Sequence, residues 1–257
     1  MEYVIICIVA LFASILTFFS GFGLGTILLP VFAFFFSIEE AIALTGIVHF
    51  SNNIFKFFLV GKSADREVLV KFGLPAVLAS FAGAWFLIYL SELPSVYTYN
   101  IGSMLFEISP VKAVIAVILI FFSLLEVIPG LNNLHFGKDK LPLGGVLSGF
   151  FGGLSGIQGA VRSAFLIKCG LTKEGFIATG VVIAILIDLT RLTIYSTGII
   201  KADLLEHAPM MILAIVSALA GALLGKKLLK KVTLKFVQNI VASTLIVIAI
   251  ALGFGLV

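Results

Sequence analysis

His49, Asn52, Asn53 and Lys56 stand at i, i+3, i+4 and i+7, which puts an imidazole, two amides and an ammonium on one face of a helix. Ser51 lies within the same run. A second polar pair, Asp188 and Arg191, is three residues apart, the spacing of an intrahelical ion pair in which the carboxylate can aim the guanidinium at an anion. The third group, Ser155, Gln158, Arg162 and Ser163, straddles the glycine cluster Gly152-Gly153-Leu154-Ser155-Gly156-Ile157-Gln158-Gly159. If a helix restarts near Gly159, its free N–H groups carry positive potential, and Arg162 on its first turn opposes that dipole unless an anion bridges the two. An earlier cluster, Ser20-Gly21-Phe22-Gly23-Leu24-Gly25, precedes Thr26 and Pro30; Thr26 is expected to cap a returning helix with Pro30 in its first turn.

The chemistry that these residues suit is the holding of a small anion. Candidate binding residues are Gly23, Gly25, Thr26, Asn52, Asn53, Ser155, Gly156, Gln158, Gly159, Arg162 and Arg191. His49, Lys56 and Asp188 are candidates for a conduction pathway or for proton or other ion coupling. Each has a plainer reading: interhelical hydrogen bonding for the amides and His49, snorkelling for Lys56 and Arg162, structural pairing for Asp188 with Arg191. Glu126, beside Pro129, reads as a solvated residue at a helix end, and Cys7 and Cys169 as small apolar side chains without metal-ligand spacing. No paired carboxylates, metal cluster or nucleophile–base array stands out, so neither a cofactor nor an enzymatic reaction is expected. The Gly-x-Gly-x-Gly run at 21–25 lacks the strand and distal acid of a dinucleotide site.

The elements that must position these groups are set by composition. The chain has 257 residues, 61% hydrophobic and 12% charged, and a mean hydropathy of +1.22. Soluble domains carry about a quarter charged residues, so an all-α polytopic membrane protein is expected. Its net charge of +4 comes largely from short loops and reads as topology, not as a nucleic-acid footprint. Full spans are expected at 40–61, 68–90, 111–129, 174–197, 207–225 and 236–257. The glycine-broken stretches 3–36 and 142–169 suit hairpins that enter the membrane and return, with arms of about ten residues in the second. Met1-Glu2-Tyr3 lacks a basic n-region, so 3–19 is taken as retained.

Basic residues gather in loops 62–71, 130–141, 168–173 and 226–235, while 37–39, 91–110 and 198–206 hold only Lys201. Placing the basic loops in the cytoplasm makes the two broken stretches dip from opposite faces of the cell inner (plasma) membrane and leaves both termini external. That implies two inverted-topology repeats, 1–129 and 130–257, each a re-entrant hairpin plus three transmembrane helices in one membrane domain. A weak internal repeat agrees. Thr45-Gly46-Ile47-Val48 returns as Thr179-Gly180-Val181-Val182, Ala64-Asp65 as Ala202-Asp203, Pro75 as Pro209 and Ala82-Gly83-Ala84 as Ala220-Gly221-Ala222. Allowing one residue of slack, Asn53/Lys56 and Asp188/Arg191 occupy matching positions. Ser37-Ile38-Glu39-Glu40 has capping-box spacing, Thr172 and Asp65 stand where helices begin, and 91–110 reads as an interfacial loop with tyrosines at headgroup depth.

The run from Gly21 to Gly25 followed by Pro30, and Gly149 to Gly159 (GFFGGLSGIQG), resemble the TauE/SafE sulfite exporter family, also called the 4-toluene sulfonate uptake permease group. The chain departs from that family's pattern in placing Gln158, Arg162 and Ser163 where prolines are expected. The resemblance implies a secondary transporter that exports sulfite, organosulfonates or related small sulfur oxyanions. The anion would sit near the midplane between two hairpin tips, with access alternating between the two sides. An anion channel, or a carrier for another small organic anion, is the alternative. A small anion and the lipid bilayer are the expected partners, nucleic acid is not, and the oligomeric state is left open.

Overall fold

A computed structural model describes residues 1–20, 23–128, 136–198, 207–228 and 234–256. Gly21 and Phe22 at the first glycine cluster lie outside them, as do Lys201, Ala202, Asp203, Lys230 and Lys231 and the side chain of Glu126. The protein is mostly helical. In order come α1 (Glu2–Ser20), α2 (Leu24–Ala33), α3 (Ile38–Val60) and α4 (Arg66–Ser91), then α5 (Pro110–Val127), α6 (Leu141–Ser155) and α7 (Gly159–Leu166), and last α8 (Lys173–Gly198), α9 (Ala208–Leu228) and α10 (Leu234–Gly253).

Helices α3, α4, α8 and α9 are long and apolar enough to cross a bilayer. Large apolar side chains face outward along these helices and along α5 and α10, among them Leu78, Trp85, Val117, Val216 and Val247. The centre instead holds Asn52, Lys56, Arg162, Asp188 and Arg191, all buried. In water this distribution would expose a large apolar belt; against lipid it is the favourable one. The chain is a multi-pass membrane protein.

Local signals fix several helix starts. Ser37 and Glu40 form the expected capping box at α3: Glu40 N–H donates to Ser37 Oγ at 3.4 Å, and Ser37 N–H donates to Glu40 Oε2 at 3.1 Å. Asp65 accepts from Val68 N–H at 2.9 Å and Thr172 from Gly175 N–H at 3.0 Å. Within α4 the backbone widens to a π turn over Leu69–Gly73, just before Pro75, whose missing N–H breaks the regular ladder.

Two expectations need correction. Segment 91–110 contains an antiparallel hairpin, β1 (Tyr97–Ile101) and β2 (Met104–Ile108), with Gly102 at φ 63° in its turn. Alternating Tyr-Thr-Tyr-Asn-Ile and Met-Leu-Phe-Glu-Ile around Gly102-Ser103 is a strand–turn–strand pattern, so the expected loop carries a short hairpin within a mostly helical fold. Thr26 does not cap α2 either. That helix starts at Leu24 after an extended Gly23 (φ −77°, ψ 141°) with no side-chain cap, which places Thr26 in its first turn and Pro30 in its interior. The glycine supplies the bend that the sequence reading gave to threonine.

Helix pairs come together where side chains vanish. Gly145, Gly149 and Gly153 of α6 meet the backbone carbonyls of Phe72, Ala76 and Ser80 of α4, so closely that a Cβ would overlap them. Residue numbers rise together, so the two helices run parallel. Helices α1 and α9 repeat the arrangement, with Gly221 on the Leu11 carbonyl and Gly225 on that of Ile15, also in parallel. Small residues spaced by four allow such approach, and packing at that range drives helix association in lipid. Helices α3 and α8 pack on each other between these pairs, and α5 packs on α10.

Candidate functional site

Helix α3 places its polar face inward because the i, i+3, i+4, i+7 stripe turns toward α8, α1 and α9. His49, Asn52, Asn53 and Lys56 are all buried. On α8, Asp188 and Arg191 face the same interior and are fully buried. The expected ion pair is present. Arg191 Nε donates to Asp188 Oδ1 at 2.9 Å, and Nη2 lies 2.9 Å from the same oxygen without hydrogen-bonding alignment. His49 Nδ1 lies 2.5 Å from Asp188 Oδ2. A carboxylate only accepts, so it holds His49 in the tautomer with Nδ1 protonated. Asn53 Nδ2, at 3.2 Å from both ring nitrogens, then donates to Nε2. Gln158 Nε2 adds a contact to Asp188 Oδ1 at 3.4 Å. One carboxylate therefore joins α3, α8 and the second helix break.

Both glycine breaks abut this cluster. A Cβ on Gly23 would sit 3.1 Å from His49 Nε2, and one on Gly25 would sit 3.5 Å from the Gly156 carbonyl oxygen. Gly156 ends α6 at φ 79°, a left-handed conformation open to glycine, and a Cβ there would lie 2.5 Å from Arg191 Nη1. Ser155 Oγ steadies the turn by accepting from Ile157 N–H at 3.3 Å. Helix α7 begins at Gly159, as expected, and Arg162 on its opening turn donates from Nη1 to Gln158 Oε1 at 3.3 Å. Ser148 Oγ donates to the Gln158 carbonyl at 3.2 Å, tying the break to α6.

Glycine also makes room for both arginines. Gly46 lies against the Arg191 guanidinium and Gly180 against that of Arg162, with Cβ clearances of 3.2 Å and 3.3 Å. These are the glycines of the repeated Thr-Gly pair. The Arg191 Nη groups find no acceptor in hydrogen-bonding geometry among the described residues. The hydroxyl of Tyr195, beside Arg191, donates to the Gly153 carbonyl.

A cavity opens beside this cluster. Gly23, His49, Asn53, Lys56 and Arg162 line it, with Phe18 and Gly180. Three basic side chains thus face one space, and no Asp or Glu among the described residues lines it. Asn52 points elsewhere, toward α1 and α9. The amide orientation that satisfies every partner has its nitrogen donating to Ser14 Oγ (3.2 Å) and the Ala218 carbonyl (3.3 Å) and its oxygen accepting from Lys56 Nζ (3.2 Å). Gly25, Thr26, Ser155, Gly156, Gln158, Gly159, Asp188 and Arg191 do not line the cavity.

The link between His49 and Asp188, 139 residues apart, was not anticipated from either helix alone. Phe18, Phe176, Ile177 and Val181 in the wall were missed too, being indistinguishable in sequence from lipid-facing residues. The signal that could have found the wall is Thr179-Gly180, a repeat noted for its symmetry and not for the space it leaves.

No curated protein and no solved structure matches this chain. A family model does, over residues 6–252, and with nearly the whole length matched the chain belongs to the sulfite exporter TauE/SafE family.

Proposed function

We propose that the protein is a secondary transporter of the cell inner membrane that exports small sulfur oxyanions, sulfite or organosulfonates, through the cavity beside His49, Lys56 and Arg162. The carrying observation is that cavity: lined at Gly23 by the first helix break, holding the buried basic side chains His49, Lys56 and Arg162, and free of carboxylates among the described residues. A buried cation is costly without a counter-charge, and an oxyanion supplies one. Membership of an exporter family fits this reading and speaks against an enzyme.

The proposed architecture is a pair of inverted repeats, 1–129 and 130–257, each opening with a re-entrant hairpin. Support comes from how the arms return. Phe136 N–H donates to the Ala164 carbonyl at 3.2 Å, which brings the end of α7 back beside the start of α6. The ring of Phe36, just after α2, packs 4.8 Å from that of His207, at the start of α9, the helix parallel to α1. Exchanging the halves also maps the α4–α6 pair onto α9–α1 and leaves α3–α8 and α5–α10 paired with themselves. With the anion held at the pseudo-symmetric centre, rocking of one half against the other would alternate access.

The test is sulfite flux in proteoliposomes. Arg162→Ala should lower the initial rate at least about tenfold, the scale of one lost charge-assisted contact, while the protein still elutes as folded. Unchanged flux would remove Arg162 from the site.

A further inference from the structure

We propose that Lys56 is a second charge-reading group of this cavity and makes it selective for a divalent oxyanion (sulfite dianion, sulfate or thiosulfate) over a monovalent sulfonate. The inference rests on the anion-carrier reading and deepens it. Lys56 is 4% exposed, although it stands one turn from the end of α3, where a snorkelling lysine would reach water. It is held inside. Asn52, anchored to α1 and α9, presents its carbonyl oxygen 3.2 Å from Nζ, and the Phe18 ring lies 5.2 Å away. A neutral amide and a ring face orient an ammonium but do not balance its charge. Among the described residues no carboxylate lies within ion-pairing distance of Nζ.

The nearby carboxylate is already committed. Asp188 gives one oxygen to His49 and the other to Arg191, with Gln158 on the latter. That group is internally balanced and does not line the cavity. Arg162 enters from α7 and Lys56 from α3, on different walls of one space. At the same distance the Lys56 ammonium attracts a doubly charged anion about twice as strongly as a singly charged one. The doubly charged anion meets both cations, and its several oxygens suit the three N–H donors of a lysine beside the fork of an arginine.

Purified full-length protein in detergent, titrated at mildly acidic pH, where the lysine is protonated and sulfate and thiosulfate keep both charges, with sulfate, thiosulfate and methanesulfonate and followed by thermal stabilisation, tests this. The wild-type chain should bind the two divalent anions at least about tenfold more tightly than methanesulfonate. Lys56→Gln should bring that ratio to about one, through a larger loss of sulfate and thiosulfate binding than of methanesulfonate binding. Lys56→Arg should restore the preference. A ratio retained in Lys56→Gln overturns the inference and leaves the carrier reading standing. So does wild-type protein that binds methanesulfonate as tightly as sulfate, a comparison that needs no variant to fold. Failure of all three anions to stabilise the wild-type chain overturns both.

Discussion

Asp188 accepts from two sides at once, from His49 on α3 and from Arg191 on its own helix. Removing its charge strands a guanidinium that is fully buried, and breaking a buried pair from one side costs about 3–5 kcal/mol. Asp188→Asn should therefore lower the thermal midpoint sharply and reduce the folded yield. Asp188→Leu combined with Arg191→Leu should recover a large part of the loss, because no orphaned charge remains. Size-exclusion chromatography after stepped heating would read both. If Asp188→Asn melts with the wild type, the carboxylate is not what holds the guanidinium. The half of this cluster internal to α8 was legible in spacing alone, since i, i+3 is a local rule. The half that joins α8 to α3 was not, because no periodicity carries a contact between residues so far apart. The same limit explains Asn52: the stripe gives the buried face, and the neighbours decide whether a given side chain meets the cavity or ties helices together.

Helix-level packing depends on positions without side chains. Along α6 the glycines at 145, 149 and 153 lie on consecutive turns and let the α4 backbone approach. Gly149→Leu would force those helices apart, and overpacking of this kind costs about 1–3 kcal/mol where neighbours can shift and more where they cannot. Here the obstacle is backbone, so a cost at or above the upper figure is expected. It would be measured as loss of the monodisperse peak and a lower melting temperature. Gly170, whose added Cβ would meet no atom within 4 Å, provides a comparison in which only the positive φ of 71° is strained. A smaller loss at Gly149 than at Gly170 would contradict the tight α4–α6 seam. Long apolar helices and their caps were legible because length and capping chemistry are local. The start of α2 was not. An extended glycine at a helix break leaves no side-chain signature, whereas Thr26 and Pro30 offered a familiar but wrong one.

The whole molecule has two chemically different ends. At one, Asp65 N–H donates to Thr179 Oγ1 at 2.9 Å, Gly175 sits against the Ser63 carbonyl, and Lys138 lies near Glu67. These contacts gather Lys62, Arg66, Lys71, Lys138, Lys140, Lys168 and Lys173 on one side. At the other end the β-hairpin meets the end of α10, where the Tyr99 hydroxyl donates to the Phe254 carbonyl, and the start of α9 meets Phe36. Residue 1 lies at this second end, because α1 runs parallel to α9. Among the described lysines and arginines, it holds only Lys112. Positive charge resists translocation, so the basic end should face the cytoplasm and both termini the outside. In a background with Cys7 and Cys169 replaced by serine, a cysteine introduced by Ser103→Cys in the hairpin should react with a membrane-impermeant maleimide on intact cells. One introduced by Ser63→Cys, at the α3–α4 turn, should react only in inverted vesicles. Both positions are exposed, so neither result depends on burial. Labelling of both from the same side would break the two-ended arrangement, and the reverse pattern would turn the molecule over and, with it, the side from which Lys56, near the basic end of α3, first meets its anion.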